Sequence, residues 1–217
     1  MQVREITEQD VDLPESLDLP LRTGAPYWYW LGGRPSLDLV NTLRERWRRQ
    51  VETLCSVDDL GQWLVAAGLM EQVPARIPRR VLDEARDLRE ALDTLVVAAI
   101  DGTASPQDAV ALVDDWLVFA GARPQLVLGE HGVPVLGERP AADSPRRALG
   151  VLAFDAARML GQADARARIR ICGAEDCSAR FYDRSPGGRR RWCSMRTCGN
   201  VAKARRHRAR ARQETEG

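Results

Sequence analysis

Histidine and lysine are almost absent from this chain, which has two histidines, and a single lysine among its 32 lysine and arginine residues. Histidine is the most frequent general acid or base in enzymes. His131 lies in a predicted loop and His207 in a basic segment, so we expect both to be exposed rather than catalytic. The Walker, GxGxxG, HExxH and GxSxG motifs are also missing. We therefore predict that the protein is not an enzyme and assign no catalytic residue.

Long apolar runs are missing as well. The longest, Leu95 to Ile100, is far shorter than the roughly 20 residues that cross a membrane. Residues 1–15 are acidic and lack the basic and apolar pattern of an export signal. We expect a cytoplasmic protein with no membrane partner. Its 217 residues are enough for one or two domains with a buried core.

The net charge of +1 hides a division along the chain. Residues 1–165 carry 17 Arg against 26 Asp and Glu, whereas residues 166–212 carry 14 Arg and one Lys against three acidic residues. This asymmetry predicts two domains: an acidic body, residues 1–165, and a basic finger, residues 166–217, that binds a polyanion. The alternatives are a solvated tail and a basic segment that docks on the acidic body.

Apolar periodicity predicts a mainly helical body with one small β-hairpin. We expect the first helix to run from Ser36 past Trp47, and the hairpin to pair residues 125–128 with 133–136. The predicted helices begin near Ser36, Ser56, Pro78, Ser105 and Ser144. Aromatic residues at helical spacing favour core positions, with an aromatic ligand pocket as the alternative; the set is Tyr27–Trp30, Trp47, Trp63 and Trp116.

Four cysteines of the finger form two pairs of equal spacing, Cys172 with Cys177 and Cys193 with Cys198. Four thiolates in two short turns satisfy the tetrahedral preference of a structural zinc ion. Paired disulfides and buried free thiols are the alternatives, but nothing indicates an oxidising compartment, and the neighbours are polar. A zinc ion held by four thiolates has no open position for an activated water, which again argues against catalysis.

The segment between the two pairs predicts a hairpin with a very small core. Phe181-Tyr182 and Arg191-Trp192 are expected to be its strands, with Phe181 and Trp192 as the core that the metal supplements. Asp183 and Ser185 are expected to close the turn. The predicted fold is therefore α+β: a mainly helical body with a small β-hairpin, then a treble-clef-like zinc finger that ends in a basic helix.

The helix after Cys198 carries basic residues around most of its circumference, which is typical of a segment that binds nucleic-acid phosphates. We favour DNA over RNA, and some arginines are placed to reach guanine edges. The alternatives are an RNA-binding module and a zinc-stabilised module that binds an acidic protein. The predicted nucleic-acid contacts are Arg189, Arg190, Arg191, Arg196, Lys203, Arg205, Arg206, Arg208, Arg210 and Arg212.

The finger resembles the CGNR zinc finger family. The resemblance rests on the two cysteine pairs, on Phe181, Asp183 and Ser185, and on the stretches Arg190–Met195, Cys198–Asn200 and Lys203. Val201 stands where the family has the arginine of its name, so we expect one phosphate or structural contact of that arginine to be lost here, unless a neighbouring arginine substitutes for it.

Residues 31–42, LGGRPSLDLVNT, resemble the opening motif of the ABATE domain, which precedes this type of finger. The resemblance implies a stress-induced transcription regulator that binds DNA through the finger. Its body would sense a signal, such as a small-molecule effector, or form a homodimer. Arg34 and Asn41 are the polar residues that we select as candidates for ligand binding.

Overall fold

The structure, a computed structural model, describes residues 28–120, 123–139 and 144–215. The predicted lead-in over residues 1–26 and the aromatic Tyr27 lie outside the described residues. The helices are α1 (Pro35–Val40), α2 (Val57–Ala66), α3 (Arg79–Asp101), α4 (Gln107–Leu117), α5 (Pro145–Gly161), α6 (Ala163–Arg166) and α7 (Asn200–Thr215). The strands are β1 (Leu43–Arg44), β2 (Val51–Glu52), β3 (Arg123–Leu128), β4 (Pro134–Arg139), β5 (Ile169–Ile171) and β6 (Arg180–Tyr182). The fold is α+β, as predicted.

The core of the body forms around α3, which packs against α1, α4 and α5. Its buried stripe recurs every three or four residues and includes Leu82, Leu88 and Leu92. Trp63 on α2 is fully buried, and its ring stacks on Trp30 with centroids 5.7 Å apart. These aromatic rings therefore belong to the core. None of the described helices combines the length and the apolarity that crossing a membrane requires.

Local signals in the sequence mark the ends of several helices. Ser56 and Asp59 form the predicted capping box of α2, in which each side chain accepts from the other residue's backbone N–H. Helix α3 ends at Gly102, which has a φ of 67° and so adopts the left-handed conformation that favours glycine. These ends depend on neighbouring residues alone, so the sequence is sufficient to predict them.

The first predicted helix is wrong beyond Val40. The chain leaves the helical path at Asn41, and β1 then pairs antiparallel with β2 across a loop whose ends, Glu45 and Gln50, have positive φ values of 47° and 51°. Trp47 lies in this loop and is 50% exposed instead of buried. Pairing with β2 overrides the apolar periodicity. It supplies hydrogen-bond partners to backbone N–H and C=O groups that a longer helix would have paired internally.

The predicted hairpin of the body is confirmed and is longer than expected. Strands β3 and β4 pair antiparallel, with Leu126 opposite Leu136 and Val127 opposite Val135. The connecting 3₁₀ turn contains His131, which has a φ of 65° and is exposed as expected.

The finger uses a different hairpin from the predicted one. Strand β6 pairs antiparallel with β5, whereas Arg191 and Trp192 form no strand. The predicted pairing was wrong because β5, which precedes the first cysteine pair, supplies the partner instead. Ile169 of β5 is buried with Leu37, Val96 and Met159 of the body, so the finger and the body share part of one core.

Candidate metal centre

The first cysteine pair lies in the tight turn that connects β5 to β6. Cys172 follows β5, and its backbone N–H donates to the carbonyl of Ala179 (2.9 Å). The N–H of Cys177 donates to the carbonyl of Ala174 (3.0 Å). These two bonds fold the turn back on itself, so both sulfurs point to the same side of the hairpin.

The second pair lies at the start of the basic helix. Cys193 ends the long loop, and Cys198 lies in a single π-helical turn, Met195–Gly199, that continues into α7. Ser194 caps this turn by accepting from the N–H of Thr197 (3.3 Å). Cys193 and Cys198 therefore lie at the turn from which α7 starts, so the orientation of the helix depends on the position of these two cysteines.

The four sulfurs lie within 4.8 Å of one another, as the equal spacing predicted. Cys193 Sγ lies 3.8 Å from Cys177 Sγ and 3.7 Å from Cys198 Sγ. In a tetrahedral site with Zn–S bonds of about 2.3 Å, neighbouring sulfurs lie about 3.8 Å apart. A disulfide would require about 2.05 Å. The donor set and its spacing therefore fit a zinc ion, and all four residues are free cysteines.

The acid–base properties of the cluster also point to a cation. Hydrogen bonds with the neighbouring thiols lower the pKa of Cys172, whereas hydrogen bonding to Cys172 raises the pKa of Cys177 and of Cys193. Thiols this close cannot all ionise on their own, because each thiolate repels the next. A divalent cation removes this conflict by stabilising all four thiolates at once.

Asp183 organises the loop between the two cysteine pairs. Its carboxylate is buried and accepts from the Ser185 N–H and hydroxyl (2.9 and 2.7 Å) and from the Arg190 N–H (2.8 Å). Burial alone would raise the pKa of Asp183, but these hydrogen bonds outweigh it and hold the pKa below its usual value. The predicted role of Asp183 and Ser185 in closing the turn is confirmed. Phe181, beside this loop, is fully buried and forms the small predicted core, with Trp192 half-buried against it.

The motif over residues 31–42 is the surface on which the finger docks. The carbonyl of Gly32 accepts from the N–H of Tyr182 (2.7 Å). A Cβ atom at Gly32 would lie 2.8 Å from the backbone of Asp38, so only glycine allows this close approach. Asn41 pairs with the backbone of Arg180 in both directions, donating to its carbonyl (2.9 Å) and accepting from its N–H (2.8 Å).

The two residues selected as ligand candidates thus have partners within the chain. Asn41 holds β6, and Arg34 donates to Asp155 of α5 (2.5 Å) while its guanidinium lies 5.5 Å from the ring centroid of Tyr182. The docking role of these residues was not predicted from the sequence. The concentration of polar and glycine residues in one short motif was the feature that could have indicated it. Ligand binding by Arg34 and Asn41 stays a prediction.

A partly buried network of ion pairs also joins the finger to the body. The Nη2 of Arg180 donates to Asp93 of α3 (3.2 Å), and Arg46 lies 3.2 Å from the same carboxylate. Arg180 is itself buried, which lowers its pKa, and the charge of Asp93 opposes this effect. Removing either member of such an ion pair is costly, because it leaves a buried charge without a partner. The ion pair therefore favours this arrangement of the finger on the body.

A cavity of about 260 Å³ lies between the body and the metal centre. On the body side it is lined by Tyr29 and Arg44, and on the finger side by three of the cysteines and by Val201 and Arg205 of α7. Burial lowers the pKa of Arg44 to about 10, and the neighbouring thiols oppose this shift. Arg44 therefore stays charged at neutral pH.

The predicted basic contacts fall into three groups. Arg190 and Arg205 have partners in the finger: Arg190 donates to the carbonyl of Cys193 (2.7 Å), and Arg205 pairs with Glu175 (3.1 Å) and with Asp176. The side chains of Arg210 and Arg212 lie outside the described residues. The exposed remainder consists of Arg189, Arg191, Arg196, Lys203, Arg206 and Arg208.

Two family models match parts of this chain. Residues 33–163 match the ABATE family, which is described as "putative stress-induced transcription regulator". Residues 168–211 match the CGNR zinc finger. A comparison with curated proteins finds no match.

Proposed function

We propose, from the premise that this chain belongs to the ABATE family, that it is a zinc-dependent transcription regulator that binds DNA through its CGNR zinc finger. The observation that carries this proposal is the position of α7. This basic helix starts at the cysteine cluster, and its main packing partner is the π-helical turn that precedes it. Zinc would hold the helix at its base and leave its basic side chains accessible to phosphates.

One side of α7 is better suited to DNA than the other. Val201 and Arg205 face the cavity beside the body, and Arg205 is already paired with acidic residues. Helical spacing puts Lys203 and Arg206 on the opposite side, where both are exposed. We therefore propose that Lys203 and Arg206 contact phosphates, with Arg210 as the next position on the same side.

The first test is selection of bound fragments from genomic DNA, run in parallel with the double variant Cys193→Ser/Cys198→Ser. We expect the natural sequence to enrich a set of fragments and the variant to enrich none, because loss of zinc removes the base of α7. Equal recovery from both proteins would contradict the proposal.

The second test separates the two sides of α7. The double variant Lys203→Ala/Arg206→Ala should lower the slope of log K against log salt by about two, because two phosphate contacts are lost. The matched control is Arg205→Ala, which removes a charge from the same helix on the side that faces the finger's own acidic residues. If the control weakens DNA binding as much as the double variant does, the proposal that one side of α7 contacts the phosphates is contradicted.

RNA and acidic proteins are the competing partners. Competition with double-stranded RNA of the same sequence distinguishes the first, and retention of a bound protein under saturating DNA distinguishes the second. DNA is the preferred proposal because regulators of transcription act on it, and the family description of the body points to that process.

For the body we propose a sensing or oligomerising role. The division between body and finger at residues 165 and 166 is part of this proposal, and it falls between the two matched ranges. A small-molecule effector that displaced Asn41 or Arg34 from its partner would loosen the finger from the body, which gives these two residues a regulatory role. We also propose a cytoplasmic location.

We further propose a homodimer formed through the β3–β4 hairpin. Leu126, Leu128 and Leu136 lie on one face of this hairpin and are 73, 77 and 78% exposed. Apolar area of this kind favours association, and two fingers in one particle bind DNA more tightly than one. Light scattering should give the mass of a dimer for the natural sequence and of a monomer for Leu126→Glu/Leu136→Glu. A monomer in both cases would contradict this part of the proposal.

A further inference from the structure

Arg44 is a half-buried cation of the body that lines the same cavity as cysteines of the finger. Its guanidinium packs 3.2 Å from the ring centroid of Tyr29 and lines the same cavity as Cys177, Cys193 and Cys198. Among the described residues it takes part in no ion pair, and its buried Nη1 has no hydrogen-bond partner. A charge in this situation is costly unless an opposite charge lies nearby.

The cysteine cluster supplies such a charge when it holds zinc. Four thiolates and one Zn²⁺ together carry a charge of −2 in a site where Cys172 and Cys193 are buried. The Cys193 N–H donates to Cys172 Sγ (3.5 Å). Three of the four sulfur-bearing residues, Cys177, Cys193 and Cys198, line the cavity that Arg44 also lines.

The other cation of the cavity is already neutralised. Arg205 lines the cavity from α7, but its guanidinium pairs with both Glu175 and Asp176. Glu45, next to Arg44 in the chain, pairs with Arg49 instead. Arg44 is thus the cavity arginine whose charge no carboxylate of the described residues balances by an ion pair.

We propose that Arg44 is the counter-charge of the zinc–tetrathiolate centre, so that the body completes the metal site of the finger from outside the coordination shell. This inference rests on the zinc part of the proposed function and is independent of DNA binding. Outer partners of metal ligands tune metal affinity although they do not touch the ion. The zinc affinity of the finger therefore depends on the position of β1, the strand of the body that carries Arg44. A change in the body that moves β1 would change this affinity and so control the finger.

The experiment measures the zinc affinity of the full-length chain by competition with a chromophoric chelator. Arg44→Met, which keeps much of the side-chain length and removes the charge, should lower the affinity by roughly 10- to 100-fold. Arg44→Lys should recover most of the loss because it restores the charge. The matched control, Arg49→Met, removes an exposed arginine that pairs within its own loop, and should leave the affinity unchanged.

A spectroscopic measurement distinguishes charge from packing. With Co²⁺ as the probe metal, loss of a cation beside the sulfurs should shift the thiolate-to-metal charge-transfer bands to lower energy in Arg44→Met and leave them unshifted in Arg44→Lys. If Arg44→Met does not fold, as judged by circular dichroism of the zinc-saturated protein, Arg44→Gln replaces it as the neutral variant.

Two results would overturn the inference. One is a zinc affinity in the neutral variant equal to that of the natural sequence. The other is an equal loss in the neutral and the lysine variants, because the side chain would then act by its shape. A protein that binds zinc as expected but fails to bind DNA would overturn the proposed function and leave this inference intact.

Discussion

The body and the finger of this protein are stabilised in different ways. The body buries a continuous set of leucine, alanine and tryptophan side chains around α3. Apart from Ile169, which is buried against the body, the buried apolar core of the finger consists of Phe181 and two of its four cysteines. About 25 cal/mol is gained for each Å² of apolar surface buried, so a core of this size cannot offset the entropy of ordering the finger. We therefore expect the finger to depend on a metal ion at its four cysteines and on its contacts with the body.

Removal of zinc is the change with the largest expected effect, and it should act on one region only. Binding of a structural zinc ion supplies about 10–16 kcal/mol in isolated fingers, and most of the folding free energy of this finger should come from it. Chelation should abolish near-ultraviolet signals of Trp192 and the protection of α7 from hydrogen exchange, while α3 stays protected. Simultaneous loss of protection in α3 would show that the two regions fold as one unit.

A large-to-small substitution in the core should destabilise the body, as chelation of zinc should destabilise the finger. Leu88 is fully buried on α3, so Leu88→Ala should lower the free energy of unfolding by about 2–5 kcal/mol through lost burial and a cavity. Urea denaturation of the zinc-saturated protein measures the change. Val110→Ala, at a half-exposed position of α4, is the control and should change stability by less than about 1 kcal/mol. A loss below 1 kcal/mol for Leu88→Ala would contradict the assigned core.

The junction between the two regions should give an intermediate effect. Asn41→Ala removes two hydrogen bonds to the β6 backbone and leaves a carbonyl and an N–H of Arg180 without these partners. A cost of about 1–3 kcal/mol is expected, and it should appear as faster hydrogen exchange in β6 before it appears in α3. Asn41→Asp is the informative control, because it keeps the acceptor for the N–H and loses the donor. Unchanged exchange in β6 for both variants would show that the junction does not depend on this side chain.

The pH dependence of stability tests the body side of the junction. Burial raises the pKa of Asp38 to about 8, and the neighbouring charge of Asp155 adds to the effect. The folded state therefore binds this proton more tightly than the unfolded state does. The contribution of Asp38 to stability is complete at low pH and is lost as the pH rises from about 4 towards 8.

Asp38→Asn should remove this dependence, because the amide stays neutral at every pH. Between pH 5 and 7 the natural sequence should lose about 1.4 kcal/mol per pH unit relative to the variant. The difference between the two denaturation curves isolates Asp38 from the cysteines, which titrate in both proteins. Parallel curves over this range would show that the pKa of Asp38 is not raised.

The features that the sequence was sufficient to predict depend on short segments. The capping box at Ser56 and the four cysteines were predicted correctly because each depends on residues that are close in the chain. The α+β fold was also predicted. The first helix failed beyond Val40 because β2 pairs with β1, and the finger hairpin failed because β5 pairs with β6. In both cases a strand outside the predicted segment supplied the partner.

The sequence by itself determined that this protein has an acidic helical body, a cluster of four cysteines and a basic helix, because composition, periodicity and spacing are local properties. Only the tertiary structure decided that the motif over residues 31–42 holds β6 and that Arg44 lines the same cavity as three cysteines of the finger. The side chains of Asn41 and Arg44 meet groups more than 100 positions away in the chain, and no local pattern specifies such a contact. A single fold brings these groups together, and the same contacts connect the body to the metal centre.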